Sequence, residues 1–144
     1  MKRIVVDASV VLKWYLSDEI YGQDALEILD KYVSYEIEIL APSILEYEVL
    51  NGLLIAKKRG RFKEEMLVTA VEGFLGLEIE QKDISFFYPD VLFFSESHNL
   101  SAYDASYLAV ANEEGALLVT VDKNLYNKVK TDLKWVKWIE DFSF

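Results

Sequence analysis

The sequence predicts a single α/β domain, residues 1–144, in which a parallel sheet of about five strands has helices on both faces. Short apolar runs of strand length, such as Lys2–Val6 and Ala116–Val119, alternate with longer segments whose apolar residues recur at helical spacing. This alternation favours a parallel sheet, because parallel strands are joined by crossover connections that are usually helical. The length of 144 residues is typical of one domain, and a hydrophobic content of 52% is enough for a sizeable core.

The predicted elements alternate along the whole chain without an internal repeat or a linker. The predicted strands are Lys2–Val6, Ile37–Leu40, Leu77–Gln81, Ala116–Val119 and Trp135–Trp138. The predicted helices are Val10–Leu16, Tyr21 to about Tyr35, Pro42 to about Lys58, Lys63–Leu75, Asp83–His98, Tyr103–Asn112 and Lys123–Lys130.

Four residues indicate where helices begin or end. Ser9 can cap the first helix through its hydroxyl. Pro89 fits best near the first turn of its helix, where a missing N–H group costs nothing. Gly60 and Gly115 are placed to end the helices that precede them.

The composition excludes some kinds of site. The chain has no cysteine, so it forms neither disulfides nor thiolate metal sites. The single histidine, His98, argues against imidazole metal sites and a Ser-His-Asp triad, and we interpret it as structural. The many aromatic residues are interpreted as core or as a dimer face rather than as stacking platforms for bases.

Charge and hydropathy bear on partners and location. The net charge of −10, from 15 basic and 25 acidic residues, argues on its face against a nucleic-acid partner. That argument weakens if acidic side chains converge on divalent cations, since a bound ion inverts the local sign. No segment approaches the roughly 20 apolar residues of a membrane helix, and Asp7 interrupts the apolar start of the chain. We therefore expect a cytoplasmic protein with no membrane partner.

Two predicted strands lead directly into aspartates, Asp7 and Asp122. The carboxyl ends of parallel strands share one edge, so the two carboxylates come close together if the first and fourth strands are neighbours. Asp104 and one of Glu46 or Glu48 could complete the set from the starts of helices. Clustered carboxylates raise one another's pKa, and a hard divalent cation such as Mg²⁺ or Mn²⁺ relieves that repulsion.

Each acid also has an ordinary structural explanation. Asp7 and Asp122 could cap the helices that follow them. Asp104 lies three residues after Ser101, which is the spacing of a capping box. Glu48 could be a solvated helix residue.

A basic run near the end of the third helix is open to two interpretations. It is either a solvated helix end, which the helix macrodipole favours, or a rim that contacts RNA. Its residues are Lys57, Lys58, Arg59 and Arg61.

Four segments together resemble the PIN-domain nucleases, and among these the VapC toxins of toxin–antitoxin pairs. They occur in the family's order and span nearly the whole chain: Val5–Ser9, Pro42–Asn51, Tyr103–Ala109 and Thr120–Leu125. Each segment is weakly specific alone, and their joint occurrence is strongly specific.

The resemblance implies that four acids bind Mg²⁺ or Mn²⁺, namely Asp7, Glu48, Asp104 and Asp122. Glu48 is preferred over Glu46 because the family's glutamate is followed three residues later by an asparagine, here Asn51. Helix phase agrees, since Glu48 shares a face with Gly52, which leaves room beside it. The resemblance further implies that Ser9 and Thr120 carry hydroxyls that orient carboxylates, and it places Asn51 with them among the residues that support the metal ligands.

The function implied is a metal-dependent endoribonuclease that hydrolyses RNA phosphodiesters with activated water. The family implies tRNA or rRNA as substrate, a homodimer, and a cognate VapB-type antitoxin. An RNA-processing nuclease outside a toxin–antitoxin pair and a non-catalytic PIN-like scaffold are alternatives. A phosphatase of the haloacid-dehalogenase type would need a second aspartate where Ser9 stands.

Overall fold

The computed structural model describes all residues from Met1 to Phe144. The strands are β1 (Lys2–Val6), β2 (Ile37–Pro42), β3 (Glu80–Lys82), β4 (Leu117–Thr120) and β5 (Val136–Trp138). The α-helices are α1 (Ala8–Tyr15), α2 (Gly22–Val33), α3 (Leu45–Lys58), α4 (Glu64–Gly76), α5 (Tyr88–His98), α6 (Ala102–Glu114) and α7 (Lys123–Val129). Short 3₁₀ turns occur at Ile84–Phe86 and Ile139–Asp141. The predicted α/β fold with a five-stranded sheet is confirmed.

All strand pairs are parallel, and their order across the sheet is β3-β2-β1-β4-β5. The chain therefore adds strands on one side of β1 first and then returns to the other side. The first and fourth strands are neighbours, which is the condition for Asp7 and Asp122 to come close together, and Val6 pairs with Val119. This switch point is where an open α/β sheet leaves a crevice at its carboxyl edge, and it places Asp7 beside Thr120.

Helices cover the sheet on both faces. Ile4, Val5 and Val6 are fully buried although successive strand residues point to opposite faces. α6 packs on β1, β2 and β4, and α1 packs against β1 and β4. The middle of α6, from Ala105 to Ala111, is buried on every side, as its nearly continuous apolar sequence requires. No helix has the length and apolar content needed to cross a bilayer.

One predicted helix, Asp83–His98, is divided in the structure. Asp83 instead caps the 3₁₀ turn by accepting a hydrogen bond from the Ser85 amide at 2.9 Å. α5 then begins at Tyr88, with Pro89 in its first turn as predicted. A continuous helix is excluded because Pro89 has no N–H group to donate to the Ser85 carbonyl, and its ring would collide with that carbonyl.

Candidate active site

Asp7 directly follows β1 and is almost fully buried, with 5% of its surface exposed. Asp7 caps α1, because its side chain accepts a hydrogen bond from the Val10 amide at 3.4 Å. The prediction that Ser9 is the cap is wrong, since Ser9 lies within the first turn of α1. The two carboxylate oxygens of Asp7 accept hydrogen bonds from different hydroxyls, Oδ1 from Ser9 and Oδ2 from Thr120. The cap uses only Oδ1, so capping does not explain the hydrogen bond that Thr120 donates to Oδ2.

The two hydroxyls also join β1 to β4. Ser9 Oγ accepts a hydrogen bond from the Val121 amide at 3.2 Å, and Thr120 Oγ1 accepts one from the Asp122 amide at 2.9 Å. Each hydroxyl therefore donates to Asp7 and accepts from the backbone that leads out of β4. This arrangement fixes the orientation of the Asp7 carboxylate at the carboxyl edge of the sheet.

Asp104 and Asp122 both lie at helix starts. Asp122 caps α7 and accepts a hydrogen bond from the Leu125 amide at 3.1 Å. At the start of α6, Ser101 Oγ accepts a hydrogen bond from the Asp104 amide at 3.1 Å. Only this half of a capping box is present, since the Asp104 carboxylate makes no hydrogen bond in the structure. Capping therefore accounts for Ser101 and leaves the carboxylate of Asp104 free.

The two glutamates of α3 have different surroundings. Glu48 is half-buried, and its Oε1 accepts a hydrogen bond of 2.5 Å from the Tyr107 hydroxyl. Glu46 is exposed and accepts one from Gln81 at the edge of the sheet. The space expected beside Glu48 at Gly52 is absent, because Leu12 of α1 packs there and would lie 2.4 Å from an added Cβ atom.

The sequence does not single out Tyr107 as a site residue, because its position on α6 is that of a core residue. A signal was available, since a buried tyrosine hydroxyl usually finds a hydrogen-bond partner, and Tyr107 lies one helical turn after Asp104.

The four acids act on one another electrostatically. Burial raises the pKa of Asp7 to about 6, helped by the charge of Asp122 and opposed by the two hydroxyls. Burial also raises the pKa of Glu48, and the charges of Asp104 and Asp122 add to this effect. The pKa of Asp104 is raised by burial and by Asp122, while Lys128 opposes the rise. Each of these acids is therefore near enough to at least one other for its charge to act on it, and we call Asp7, Glu48, Asp104 and Asp122 the carboxylate cluster.

Comparisons with known proteins identify the family of the chain. A family model described as PIN domain matches residues 4–130. The chain belongs to the PIN domain family. This PIN domain is 29% identical over 130 residues to Ribonuclease VapC3 of Pyrobaculum aerophilum, covering 88% of this chain and 94% of that protein. The crystal structure of PAE2754 from Pyrobaculum aerophilum is similar with a TM-score of 0.65 and 25% identity, covering 96% of this chain and 85% of that chain. The resemblance to VapC-type PIN domains is confirmed.

The carboxylate cluster of this PIN domain suits a hard divalent cation in its donor chemistry. All its donors are oxygens, which Mg²⁺ and Mn²⁺ prefer, and a cation would offset the mutual repulsion of the acids. No three acidic or histidine side chains converge at metal-coordination distance. The residues therefore fit such an ion by their chemistry and charge, without a preformed coordination geometry.

The predicted basic rim of this PIN domain lies away from the cluster. Arg61 forms ion pairs with Asp18 and Glu19, and Lys57 forms one with Glu64. Lys58 and Arg59 are exposed and form no ion pair. The rise of α3 from Glu48 to Lys58 is about 15 Å, so the backbone of Lys58 is set back from that of Glu48 along the helix.

Two other side chains complete the description of the site. Asn51, one turn after Glu48, is exposed and its side chain makes no hydrogen bond. Lys128 of α7 is the basic residue whose charge acts on Asp104, and its ammonium group donates to the Asn99 carbonyl at 2.9 Å.

Proposed function

We propose that this PIN domain is a divalent-metal-dependent endoribonuclease. One observation carries the proposal: strand β1 and helices α3, α6 and α7 bring four carboxylates together at the switch point of the sheet, where three of them have a raised pKa. A concentration of groups with perturbed pKa values is a mark of functional sites. The relative from Pyrobaculum aerophilum is named a ribonuclease, which supports RNA as the substrate.

The site residues we propose are Asp7, Glu48, Asp104 and Asp122, all as catalytic metal ligands. Asp7 is held in one orientation by Ser9 and Thr120. The carboxylate of Asp104, which makes no hydrogen bond, and Oε2 of Glu48 are also available to bind a cation. A bound Mg²⁺ or Mn²⁺ would supply an activated water and stabilise the charge that develops on the phosphodiester.

Cation binding also addresses the electrostatic obstacle to RNA. A chain with a net charge of −10 repels a polyanion, and a divalent ion in the cluster would offset part of the negative charge and present a positive centre to the phosphate. Lys58 and Arg59, which form no ion pair, are proposed to contact RNA backbone farther along. Attack by water that breaks the bond between phosphorus and the 3′-oxygen would leave a 5′-phosphate and a 3′-hydroxyl, whereas attack by the 2′-hydroxyl of the RNA would leave a cyclic phosphate.

We further propose that the protein is the toxin of a VapBC-type pair, acting in the cytoplasm as a homodimer on tRNA or rRNA. The similarity to Ribonuclease VapC3 supports this assignment. Large apolar side chains left exposed on α3, on α5 and in the turn before α5 are suitable for a second copy and an antitoxin. They are Tyr47, Phe86, Tyr88, Leu92 and Phe93. A small DNA-binding protein encoded beside this gene would support the pairing, and its absence would favour a processing nuclease.

The test is cleavage of end-labelled tRNA and rRNA fragments with Mg²⁺ or Mn²⁺, compared with the same reaction in EDTA. We expect metal-dependent cuts with 5′-phosphate ends, and no cuts by Asp104→Asn. The matched control is Asp30→Asn, which removes an exposed carboxylate of α2 and is expected to cleave at the wild-type rate. Equal cleavage by Asp104→Asn, or unchanged cleavage in EDTA, would overturn the proposal. A protein that neither cleaves RNA nor binds Mn²⁺ would be a scaffold.

A further inference from the structure

Tyr107 is the largest fully buried side chain of the protein, with 1% of its surface exposed. It lies in the middle of α6, where its neighbours from Ala105 to Ala111 are all buried. Its hydroxyl nevertheless donates a hydrogen bond of 2.5 Å to Glu48 Oε1, which is 59 residues away along the chain. The core residue Tyr107 therefore reaches into the carboxylate cluster.

Packing alone does not explain the hydroxyl. A phenylalanine would fill nearly the same volume without the cost of removing a polar group from water. The hydroxyl of Tyr107 avoids that cost only through Glu48, since the structure gives it no other partner. A hydrogen bond to a charged acceptor is stronger than one between neutral groups, so the bond from Tyr107 restrains the Glu48 side chain.

Glu48 needs such a restraint. Its carboxylate faces the negative charges of Asp104 and Asp122, and it stands on the first turn of α3, where a glutamate can turn to solvent. Glu46, two residues earlier, is exposed and points to Gln81 instead. Ordering a free glutamate side chain also costs conformational entropy. Without a donor on the inner side, repulsion and entropy both favour an outward Glu48.

We propose that Tyr107 is a positioning residue that holds the Glu48 carboxylate inside the cluster for a divalent cation. The bond occupies Oε1 and leaves Oε2 without a hydrogen bond. Tyr107 thus fixes the orientation of Glu48 as Ser9 and Thr120 fix that of Asp7. This inference rests on the proposed metal-dependent function.

The test compares Tyr107→Phe with Tyr32→Phe by titration calorimetry with Mn²⁺ and by thermal unfolding in EDTA. Tyr32 is the matched control, because its hydroxyl also donates to one acceptor, the Leu77 carbonyl at 2.7 Å, away from the cluster. We expect both variants to fold. Only Tyr107→Phe is expected to weaken Mn²⁺ affinity, by about tenfold or more, as loss of an orienting partner does at metal sites.

A double-variant experiment makes the role specific. In a Glu48→Gln background, Tyr107→Phe is expected to cause no further loss of Mn²⁺ affinity, because the carboxylate it positions is gone. Unchanged affinity in Tyr107→Phe, or an equal loss in Tyr32→Phe, would overturn the positioning role while leaving the proposed nuclease intact. Wild-type protein that binds no Mn²⁺ would overturn both proposals together.

Discussion

Replacing Asp7 by asparagine is expected to stabilise the metal-free protein at neutral pH. The carboxylate is charged there although it is buried, and burial raises its pKa from 3.8 to about 6. Asparagine has the same shape, is uncharged, and can still accept at Oδ1 from Ser9 and from the Val10 amide. It is also a good helix cap, so the start of α1 is preserved.

The magnitude follows from the linkage between pKa and folding. A rise from 3.8 to about 6, at about 1.4 kcal/mol per pKa unit, makes the charged form about 3 kcal/mol less favourable in the folded state. The amide group of asparagine suits Thr120 less well than the carboxylate does, which removes part of this gain. We therefore expect the free energy of unfolding of Asp7→Asn to exceed that of the wild type by about 1–3 kcal/mol.

The stability change caused by Asp7→Asn should also depend on pH. Because the folded-state pKa of Asp7 is raised, its favourable contribution is complete below about pH 4 and is lost as the pH rises through about 6. The advantage of Asp7→Asn should therefore be largest at pH 8 and fall to about half at pH 5. Urea unfolding in EDTA at the two pH values measures the difference.

The matched control is Asp83→Asn, at an exposed cap where the hydrogen bonds from Ser85 lower the pKa of the carboxyl. No gain at pH 8 is expected there. Lower stability of Asp7→Asn than of the wild type at pH 8, or an advantage that does not change with pH, would refute the reasoning. Added Mn²⁺ should stabilise the wild type and reverse the ranking, because ligands stabilise the state that binds them.

Two further predictions concern packing and the edge of the sheet, and both are measured by urea unfolding. Gly22→Ala should lower the free energy of unfolding by about 2–3 kcal/mol, because an added Cβ would lie 2.0 Å from the Ser17 carbonyl oxygen. Gly73→Ala, where nothing lies within 4 Å, should raise it by about 0.5–1 kcal/mol. Thr120→Val should cost about 2–3 kcal/mol by leaving its buried partners unpaired, whereas Thr69→Val on exposed α4 should change stability by less than about 0.5 kcal/mol. Equal effects within either pair would contradict the corresponding structural argument.

Much of the fold was predictable because its signals are local. The apolar runs that become β1, β2 and β4 and the amphipathic segments between them depend on periodicities of two and 3.6 residues. Gly115 ends α6 with a positive φ of 62°, as expected. The division of Asp83–His98 was also a local matter, and the position of Pro89 contained the reason.

The candidate site was predictable only in part. Asp7 and Asp122 could be placed because they follow strands that reach one edge of the sheet. The choice of Glu48 over Glu46 depended on a family resemblance, whereas the structure separates them by their contacts with Tyr107 and Gln81. The pairing of Arg61 with Asp18 and Glu19 could not be anticipated, because no local pattern connects the turn after α3 with the loop after α1.

The sequence by itself determined the fold class, the alternation of elements and the acids available at strand and helix ends. The tertiary structure alone decided that β1 lies between β2 and β4, that Thr120 contacts Asp7 across 113 residues of chain, and that Tyr107 contacts Glu48. Periodicity and capping act over a few residues, so they are written in the sequence, whereas contacts between distant segments depend on how whole helices and strands pack into a common core.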